Sequence, residues 1–348
     1  MTILAIESTC DETAAAVVES FGGGVRVLKS VVASSVEMHE KYGGIVPEVA
    51  AREQIKSIIP VVTEAINKDS IDAVAVSYGP GLMGSLLVGV ETAKALSWAW
   101  KKPLLRVNHM AAHVLANWII ERNQELKESR TQDNEVPILP AIGLVVSGGH
   151  TDLILMETLD KWTWVGGTRD DAVGEAFDKV ARLLNLPYPG GPQIDKAANN
   201  VSEEEWTANK DRLKLPRPLI HDAGLDMSFS GIKAAVARMV TEVGDADEKT
   251  KGFIAREFSE AIIEVLVKKT LQAIERYQPK SIVLAGGVAA NIKLRERLKD
   301  EVEKSGVKFF VPELKYCGDN AAMVGAAAVM RPDVSTVDLK PDPSLGVV

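Results

Sequence analysis

The chain has 348 residues, 46% of them hydrophobic and 25% charged, and its 48 acidic and 40 basic side chains leave a net charge of −8. That length suits one large bilobal domain or two ordinary ones, and the composition is that of a globular protein with a sizeable core. The acidic balance argues against a protein that coats nucleic acid unaided, and two cysteines, Cys10 and Cys317, exclude a disulfide framework or a CxxC knuckle.

No apolar run reaches the roughly 18 residues that a membrane span needs. The N-terminus enters a strand-like Ile3-Leu4-Ala5-Ile6 with no basic or arginine-rich leader, so a cytoplasmic setting without membrane contact is expected.

Residues 3–18 read as strand, polar turn, strand, the turn being Glu7-Ser8-Thr9-Cys10-Asp11-Glu12-Thr13, and residues 25–34 add a third strand. A loop with Gly43-Gly44 leads into a helix from about Val49, on which Ile55, Ile58, Ile59, Val62 and Ile66 form one apolar stripe. Residues 71–77 are a buried strand that empties into Tyr78-Gly79-Pro80-Gly81, with a small-residue helix over 85–100. Open α/β sheets place ligands at such strand–glycine–helix junctions. A short strand at 103–107 delivers His109 and His113, and residues 121–135 read as a solvated helix end plus loop.

The opening device then recurs: strand 142–146, small polar turn 147–151, strand 153–156. A repeat spaced by about 140 residues is too long for a solenoid but suits two related lobes facing each other across a cleft. Asp170 to Lys179 should open a helix with acids in its first turn, which the helix dipole favours. Tyr188-Pro189-Gly190-Gly191-Pro192 breaks it, and 193–198 restarts it. Residues 201–213 look solvent-facing, 227–233 a turn before a helix, and 251–277 a long helix with Phe258, Ile262 and Leu266 on one side. A strand at 281–285 ends in Gly286-Gly287, the last clear strand is 308–311, and an alanine-rich helix reaches Met330 before an irregular tail over 332–348. Alternation of this kind defines an α/β fold with mixed sheets.

His109 and His113 stand four apart, so on a helix they share a face, a spacing suited to gripping one cation, though HxxxH also arises by chance. A zinc protease also needs Glu directly after the first His, and Met110 occupies that place. A third ligand must come from elsewhere. Asp319 is attractive because it lies between a strand and a helix N-terminus, and two imidazoles with one carboxylate suit non-haem iron, with zinc nearly as good. Ser8-Thr9, Ser147-Gly148-Gly149 and Gly286-Gly287 are phosphate-binding candidates, none matching a Walker or Rossmann glycine pattern. Asp11, Asp171, Asp178 and Asp195 are available to orient ribose hydroxyls, bind an amine or act as base.

Taken together, Ile6-Glu7-Ser8-Thr9-Cys10-Asp11-Glu12-Thr13, His39 to Glu48, Tyr78-Gly79-Pro80-Gly81-Leu82, Asn108-His109 through His113, Ser147-Gly148-Gly149-His150-Thr151, Gly174 to Lys179, Pro189-Gly190-Gly191-Pro192, Gly286 to Asn291 and Cys317-Gly318-Asp319-Asn320 resemble the tRNA N6-adenosine threonylcarbamoyltransferases (TsaD and its OSGEP-like relatives), in a bacterial form. The resemblance spans essentially the whole chain. It implies a two-lobed actin/Hsp70/sugar-kinase-like (ASKHA) fold with duplicated sheets and an interlobe cleft, with lobes at about 1–105 plus 325–340 and 106–324. It implies transfer of threonylcarbamoyl from threonylcarbamoyl-AMP to N6 of adenosine 37 in tRNAs reading ANN codons. It further implies one metal ion on His109, His113 and Asp319, iron(II) before zinc, and a nucleotidyl substrate held by Val145, Val146, Ser147, Gly148, Gly149, Asp178, Gly191, Asp195 and Asn291. A TsaB-like paralogue and a TsaE-like ATPase are the implied partners beside tRNA. Ser8-Thr9 reverses the usual order, Gln54 stands where His is usual and Gly318 where Thr is usual. Asp11 or Glu12 is hypothesised as proton acceptor. The rival readings are a small-molecule kinase or ATPase of the same fold, a metallopeptidase, and a non-catalytic tRNA- or partner-binding module.

Overall fold

The computed structural model describes residues 1–66, 70–120, 135–209, 213–244 and 246–347. Residues 121–134, most of the segment expected to be a solvated helix end and loop, lie outside the described residues. Contacts divide the chain into two compact units, Met1–Leu139 with Glu157–Trp162 and Phe310–Val348, and Pro140–Met156 with Thr163–Phe309. The sequence reading drew its lobes at 105/106 and 324/325; the observed division instead puts His109, His113 and Asp319 in the first unit.

In the first unit β1 (Thr2–Glu7) pairs antiparallel with β2 (Glu12–Phe21), which pairs antiparallel with β3 (Gly24–Ser34). After the short α1 (Val36–Glu40) comes α2 (Pro47–Ala65), then β4 (Ala73–Gly79) parallel to β1. Next are α3 (Met83–Trp100), β5 (Leu104–Asn108) parallel to β4, α4 (His109–Leu115) and a short β6 (Ile119–Ile120) along β3. β1 is apolar without alternation because it lies in the sheet interior, where Ile3, Leu4, Ala5 and Ile6 are all fully buried.

The stripe expected on α2 is only half right. Ile58 and Val62 enter the core with Ala50, Val61 and Ala65, but Ile55 and Ile59 are 64% and 59% exposed. A helix covers its core with an arc of limited width. Here that arc runs through Gln54, Ile58, Val61 and Ala65, so Ile55 and Ile59 fall beyond its edge.

In the second unit β7 (Ala141–Val146) pairs antiparallel with β8 (Thr151–Met156), and β9 (Trp162–Gly167) extends the sheet. Helices α5 (Val173–Leu183), α6 (Gly190–Asn199), α7 (Glu203–Asn209), α8 (Ser230–Val243) and α9 (Glu248–Tyr277) follow. Then come β10 (Ser281–Ala285) parallel to β7, α10 (Ile292–Lys304) and β11 (Lys308–Phe310). Phe258 of α9 packs edge-on against Phe177 of α5, ring centroids 5.0 Å apart. Three of these elements escape sequence reading: α7 lies in the stretch read only as solvent-facing. β9 is an edge strand whose Thr163 and Trp164 are exposed, and α10 is highly charged, showing its helical period only in Leu294, Leu298 and Val302.

The chain returns to the first unit with α11 (Ala321–Met330) and β12 (Val334–Ser335), antiparallel to β5, so the tail is not wholly irregular. Among the described residues the sheets run β12-β5-β4-β1-β2-β3-β6 and β11-β10-β7-β8-β9. The order β5-β4-β1-β2-β3 in one matches β11-β10-β7-β8-β9 in the other, which is the duplication the two strand–turn–strand devices foretold.

The expected start of α5 needs correcting. Asp170 and Asp171 precede the helix rather than forming its first turn. Asp170 accepts hydrogen bonds from the amides of Phe229 (2.8 Å) and Ser230 (3.1 Å) and the hydroxyls of Ser228 and Ser230. Asp171 pairs with Lys179 and Lys233, each at 2.8 Å, and so is spent on structure. α6 likewise starts at Gly190, earlier than residue 193, so the glycine pair forms its first turn.

Candidate metal centre and glycine-walled pocket

α4 is a two-turn helix with a strong cap: the Asn108 side chain accepts from Met110 N (2.9 Å) and Ala111 N (3.1 Å). The spacing of His109 and His113 brings their rings edge to face, centroids 4.7 Å apart. Asp319 precedes α11, whose N-cap Asn320 accepts from Met323 N at 3.0 Å. Its Oδ1 lies 3.2 Å from His113 Nε2 and 3.6 Å from His109 Nε2, and ligand-capable atoms of the three residues lie within 4.8 Å of one another.

Neither ring nitrogen of His113 makes a well-aligned hydrogen bond among the described residues, Nε2 meeting Asp319 Oδ1 as a close ion-pair contact, although the side chain is only 1% exposed. Such buried orphans are costly. A cation taking up Nε2 removes one of them, so these residues fit a metal with two nitrogen ligands and one carboxylate. Met110 is buried in the core, and no carboxylate occupies the place of a zinc-protease base.

Sequence reading missed the group that orients His109. Glu7, at the end of β1 and fully buried, stands 3.1 Å from His109 Nδ1. It also accepts from Thr9 N (2.7 Å) and Ser77 Oγ (2.6 Å). A carboxylate on Nδ1 fixes the ring and leaves Nε2 for a metal, the usual outer-shell arrangement. The signal was present: a carboxylate closing a strand of four buried apolar residues is itself headed inward.

Burial lowers the basicity of His109, but the charges of Glu7 and Asp319 overcome it and push the imidazole up to about 9. Burial raises Asp319, yet the His109 and His113 imidazoles hold it down at about 2. Burial also raises Glu7, and the adjacent His109, with a hydrogen bond from Ser77, brings it below the usual carboxylate range. This field stabilises positive charge.

Asp11 and Glu12 lie in the same unit. Burial, a hydrogen bond with Asp11 and the charge of Asp319 push Glu12 up to about 10, so it carries a proton at neutral pH. Gln54 spans the turn between β1 and β2, donating to the carbonyls of Ser8 (3.4 Å), Cys10 (3.1 Å) and Glu12 (3.0 Å). Ser8 and Thr9, read from sequence as a phosphate candidate, are buried: Ser8 Oγ donates to Ser85 O and Thr9 Oγ1 contacts His109 Nδ1. Cys317 is fully buried, its sulfur near the carbonyls of Pro312 and Glu313.

The second unit contains a cavity of about 370 Å³ whose wall includes Gly148, Phe177, Asp178, Gly191, Asp195, Gly287 and Asn291. Asn291 Nδ2 donates to both carboxylate oxygens of Asp195 at 2.9 Å while its Oδ1 caps α10 on Leu294 N. Asp178 Oδ1 accepts from Gly190 N at 2.7 Å. Burial raises Asp195, partly offset by Lys293 and the Asn291 hydrogen bond.

The glycines here are of two kinds. A Cβ on Gly190 would lie 2.6 Å from Asp178 Cα and one on Gly174 2.7 Å from Ser147 O, so packing demands both. A Cβ on Gly148, Gly149, Gly191 or Gly287 would meet nothing within 4 Å, and none of the four has a left-handed φ. Gly148, Gly191 and Gly287 thereby leave the cavity wall open, whereas Gly149 lies on the exposed turn outside it.

Of the other expected nucleotidyl residues, Val145 and Val146 are fully buried in β7, and Ser147 shapes the turn, its Oγ accepting from His150 N at 3.2 Å. The structure thus gathers Gly148, Asp178, Gly191, Asp195 and Asn291 around one cavity and adds Gly174, Phe177, Pro192 and Gly287, which the sequence reading had not placed together.

A family model described as "TsaD: tRNA N6-adenosine threonylcarbamoyltransferase" matches residues 26–326. A protein of Moorella thermoacetica named tRNA N6-adenosine threonylcarbamoyltransferase is 44% identical over 99% of this chain and 96% of its own length. Proteins of the same name from Persephonella marina (44% identical, 95% and 90% covered) and Halalkalibacterium halodurans (43%, 99% and 95%) are similar throughout. Among solved structures, HypF of T. kodakarensis is similar over 94% of this chain at 14% identity with a TM-score of 0.55; this chain spans 47% of it. That likeness concerns the fold alone, the duplicated ASKHA-like α/β architecture seen in the two sheets. None of the described helices is long and apolar enough to cross a membrane.

Proposed function

This chain belongs to the TsaD family, the tRNA N6-adenosine threonylcarbamoyltransferases, and from that premise we propose how its residues divide the work. It is a transferase that acts on tRNA in the synthesis of N6-threonylcarbamoyladenosine. The proposed donor is threonylcarbamoyl-AMP and the acceptor adenosine 37 of tRNAs reading ANN codons. The exocyclic N6 attacks the carbamoyl carbon, the new C–N bond forms, the mixed anhydride C–O bond breaks, AMP leaves, and N6 gives up a proton.

The observation that carries the reading of the cavity is its set of unexplained glycines. Gly148, Gly191 and Gly287 let an adenylate approach the backbone, and Asp178 and the Asn291–Asp195 pair fix polar positions around it. Ser147 and Gly149 complete the turn; Val145 and Val146 support it from the sheet. His109, His113 and Asp319 hold one divalent metal, iron(II) in preference to zinc, with Glu7 orienting His109. When bound, such an ion supplies Lewis acidity toward an oxygen that gains negative charge. Asp11 is the proposed proton acceptor, with Glu12, which already carries a proton, beside it.

A TsaB-like paralogue and a TsaE-like ATPase are proposed partners, in keeping with a net charge of −8 that disfavours unaided tRNA binding. α2 and α3 pack closely at Ala51 and Gly84 and expose Ile55, Ile59, Met83 and Leu87, an apolar surface suited to another protein. Reconstitution tests this directly: the protein, these partners, threonylcarbamoyl-AMP and an unmodified tRNA should yield N6-threonylcarbamoyladenosine by nucleoside mass spectrometry. A mixture that consumes the donor without modifying the tRNA contradicts it.

A further inference from the structure

The helix that carries both imidazoles is held from outside by the end of the chain. α4 has only seven residues, and helices this short depend on their caps and surroundings. Its cap, Asn108, uses the two halves of its amide differently. The oxygen accepts from Met110 N and Ala111 N, while Nδ2 donates to the carbonyl of Gly346 at 2.6 Å.

The tail is itself fastened beside this position. Asp342 N donates to Tyr78 O (2.8 Å) and Gly81 N to Pro343 O (3.3 Å), tying the tail to the end of β4, where Gly79 pairs with Asn108 of β5. A Cβ on Gly79 would lie 1.9 Å from Asp342 O, so the tail occupies the space that a side chain would fill. The Asp342 side chain accepts from Ser344 N (3.1 Å), turning the chain toward Asn108. Gly346 therefore reaches Asn108 through an anchored turn.

We infer that Asp342–Gly346 is a positioning strap for the metal centre: by holding the Asn108 amide it fixes the N-terminus of α4, and with it the direction of His109 and His113. The tail acts through Asn108; among the described residues the hydrogen bonds from Asp342–Gly346 to other segments run to Asn108, Tyr78 and Gly81. This rests on the metal reading above.

The test uses the full-length protein with Co²⁺ alone as probe, followed by visible absorption and chelator competition. Three forms are compared with the wild type: Asn108→Ser, the chain lacking residues 344–348, and both together. Serine still caps α4 but is too short to reach Gly346. Each single change should weaken Co²⁺ binding about tenfold, in the range of outer-shell changes. The combination should be no weaker than either, because both break one link. Metal-free melting temperatures and helical circular dichroism should stay close to wild type. Singles that bind Co²⁺ like the wild type, effects that multiply, or losses that merely track a fall in metal-free melting temperature overturn the strap. The metal reading survives those results, whereas a wild-type protein that shows no Co²⁺ binding removes it and the strap together.

Discussion

The metal centre and the glycine-walled pocket are specified in opposite ways. The first is built from groups that are present: two imidazoles and the Glu7 carboxylate, all buried, and the partly exposed Asp319 carboxylate, mutually polarised, with His109 pushed up to about 9 and Asp319 held at about 2. The second is built from groups that are missing: Gly148, Gly191 and Gly287 line a cavity into which a Cβ would project without meeting any protein atom within 4 Å. A site of the first kind costs folding energy unless its charges are paired, and so is wired into its surroundings through Glu7, Thr9 and Ser77. A site of the second kind costs packing that was never made, and its open glycines, Gly148, Gly191 and Gly287, have no packing role in the fold. Substitution should separate them.

The largest effect is expected for His113→Ala. Loss of a ligand should weaken Co²⁺ or Zn²⁺ binding by more than about 100-fold, beyond the range of outer-shell changes, and abolish tRNA modification. AMP affinity, measured by calorimetry, should stay within about twofold. Gly191→Val comes next. It should cut AMP affinity at least about tenfold, equivalent to ~1.4 kcal/mol, at nearly constant melting temperature. Gly190→Val, one residue away, should instead destabilise the fold by about 1–3 kcal/mol, as overpacking does.

Glu7→Gln sharpens the first half of the comparison. It keeps the shape but removes the charge beside His109 Nδ1, and should weaken metal binding by about 10-fold or more with AMP binding untouched. The last effect, on stability and not on binding, concerns Glu12. Its folded value of about 10 lies far above the ordinary 4.5, so between those values the native state keeps a proton that the unfolded chain releases. Stability of the metal-free protein should therefore fall as pH rises through that window. Glu12→Gln should flatten the dependence, making the variant's melting temperature higher relative to wild type at pH 8 than at pH 4.5. An unchanged slope would contradict the assignment.

Much of this was legible in the sequence, for physical reasons that also mark where legibility stops. The His109–His113 spacing is a property of a helix, so it survives the passage from sequence to structure. The duplicated device is a property of strand order, and the second sheet reproduces it. Glu7 was hidden because a carboxylate at a strand end also looks like the start of a polar turn; the four buried apolar residues before it hint that it is headed inward, and His109, 102 residues away, shows what it faces. Gly190 and Gly191 are indistinguishable as letters, yet one is required by Asp178 and the other by nothing in the protein. Ile55 and Ile59 obey the same period as Ile58 and Val62 but fall outside the arc that meets the sheet. Contacts from distant sequence decide each of these cases.

The central claim is that the two sites are built independently, one from charge and one from vacated space. Crossed titrations of a single pair of variants test it most directly: Co²⁺ and AMP, each into His113→Ala and Gly191→Val. His113→Ala should lose the metal and keep AMP, while Gly191→Val should lose AMP and keep the metal. A single substitution that strips the protein of both ligands while its melting temperature holds would contradict it.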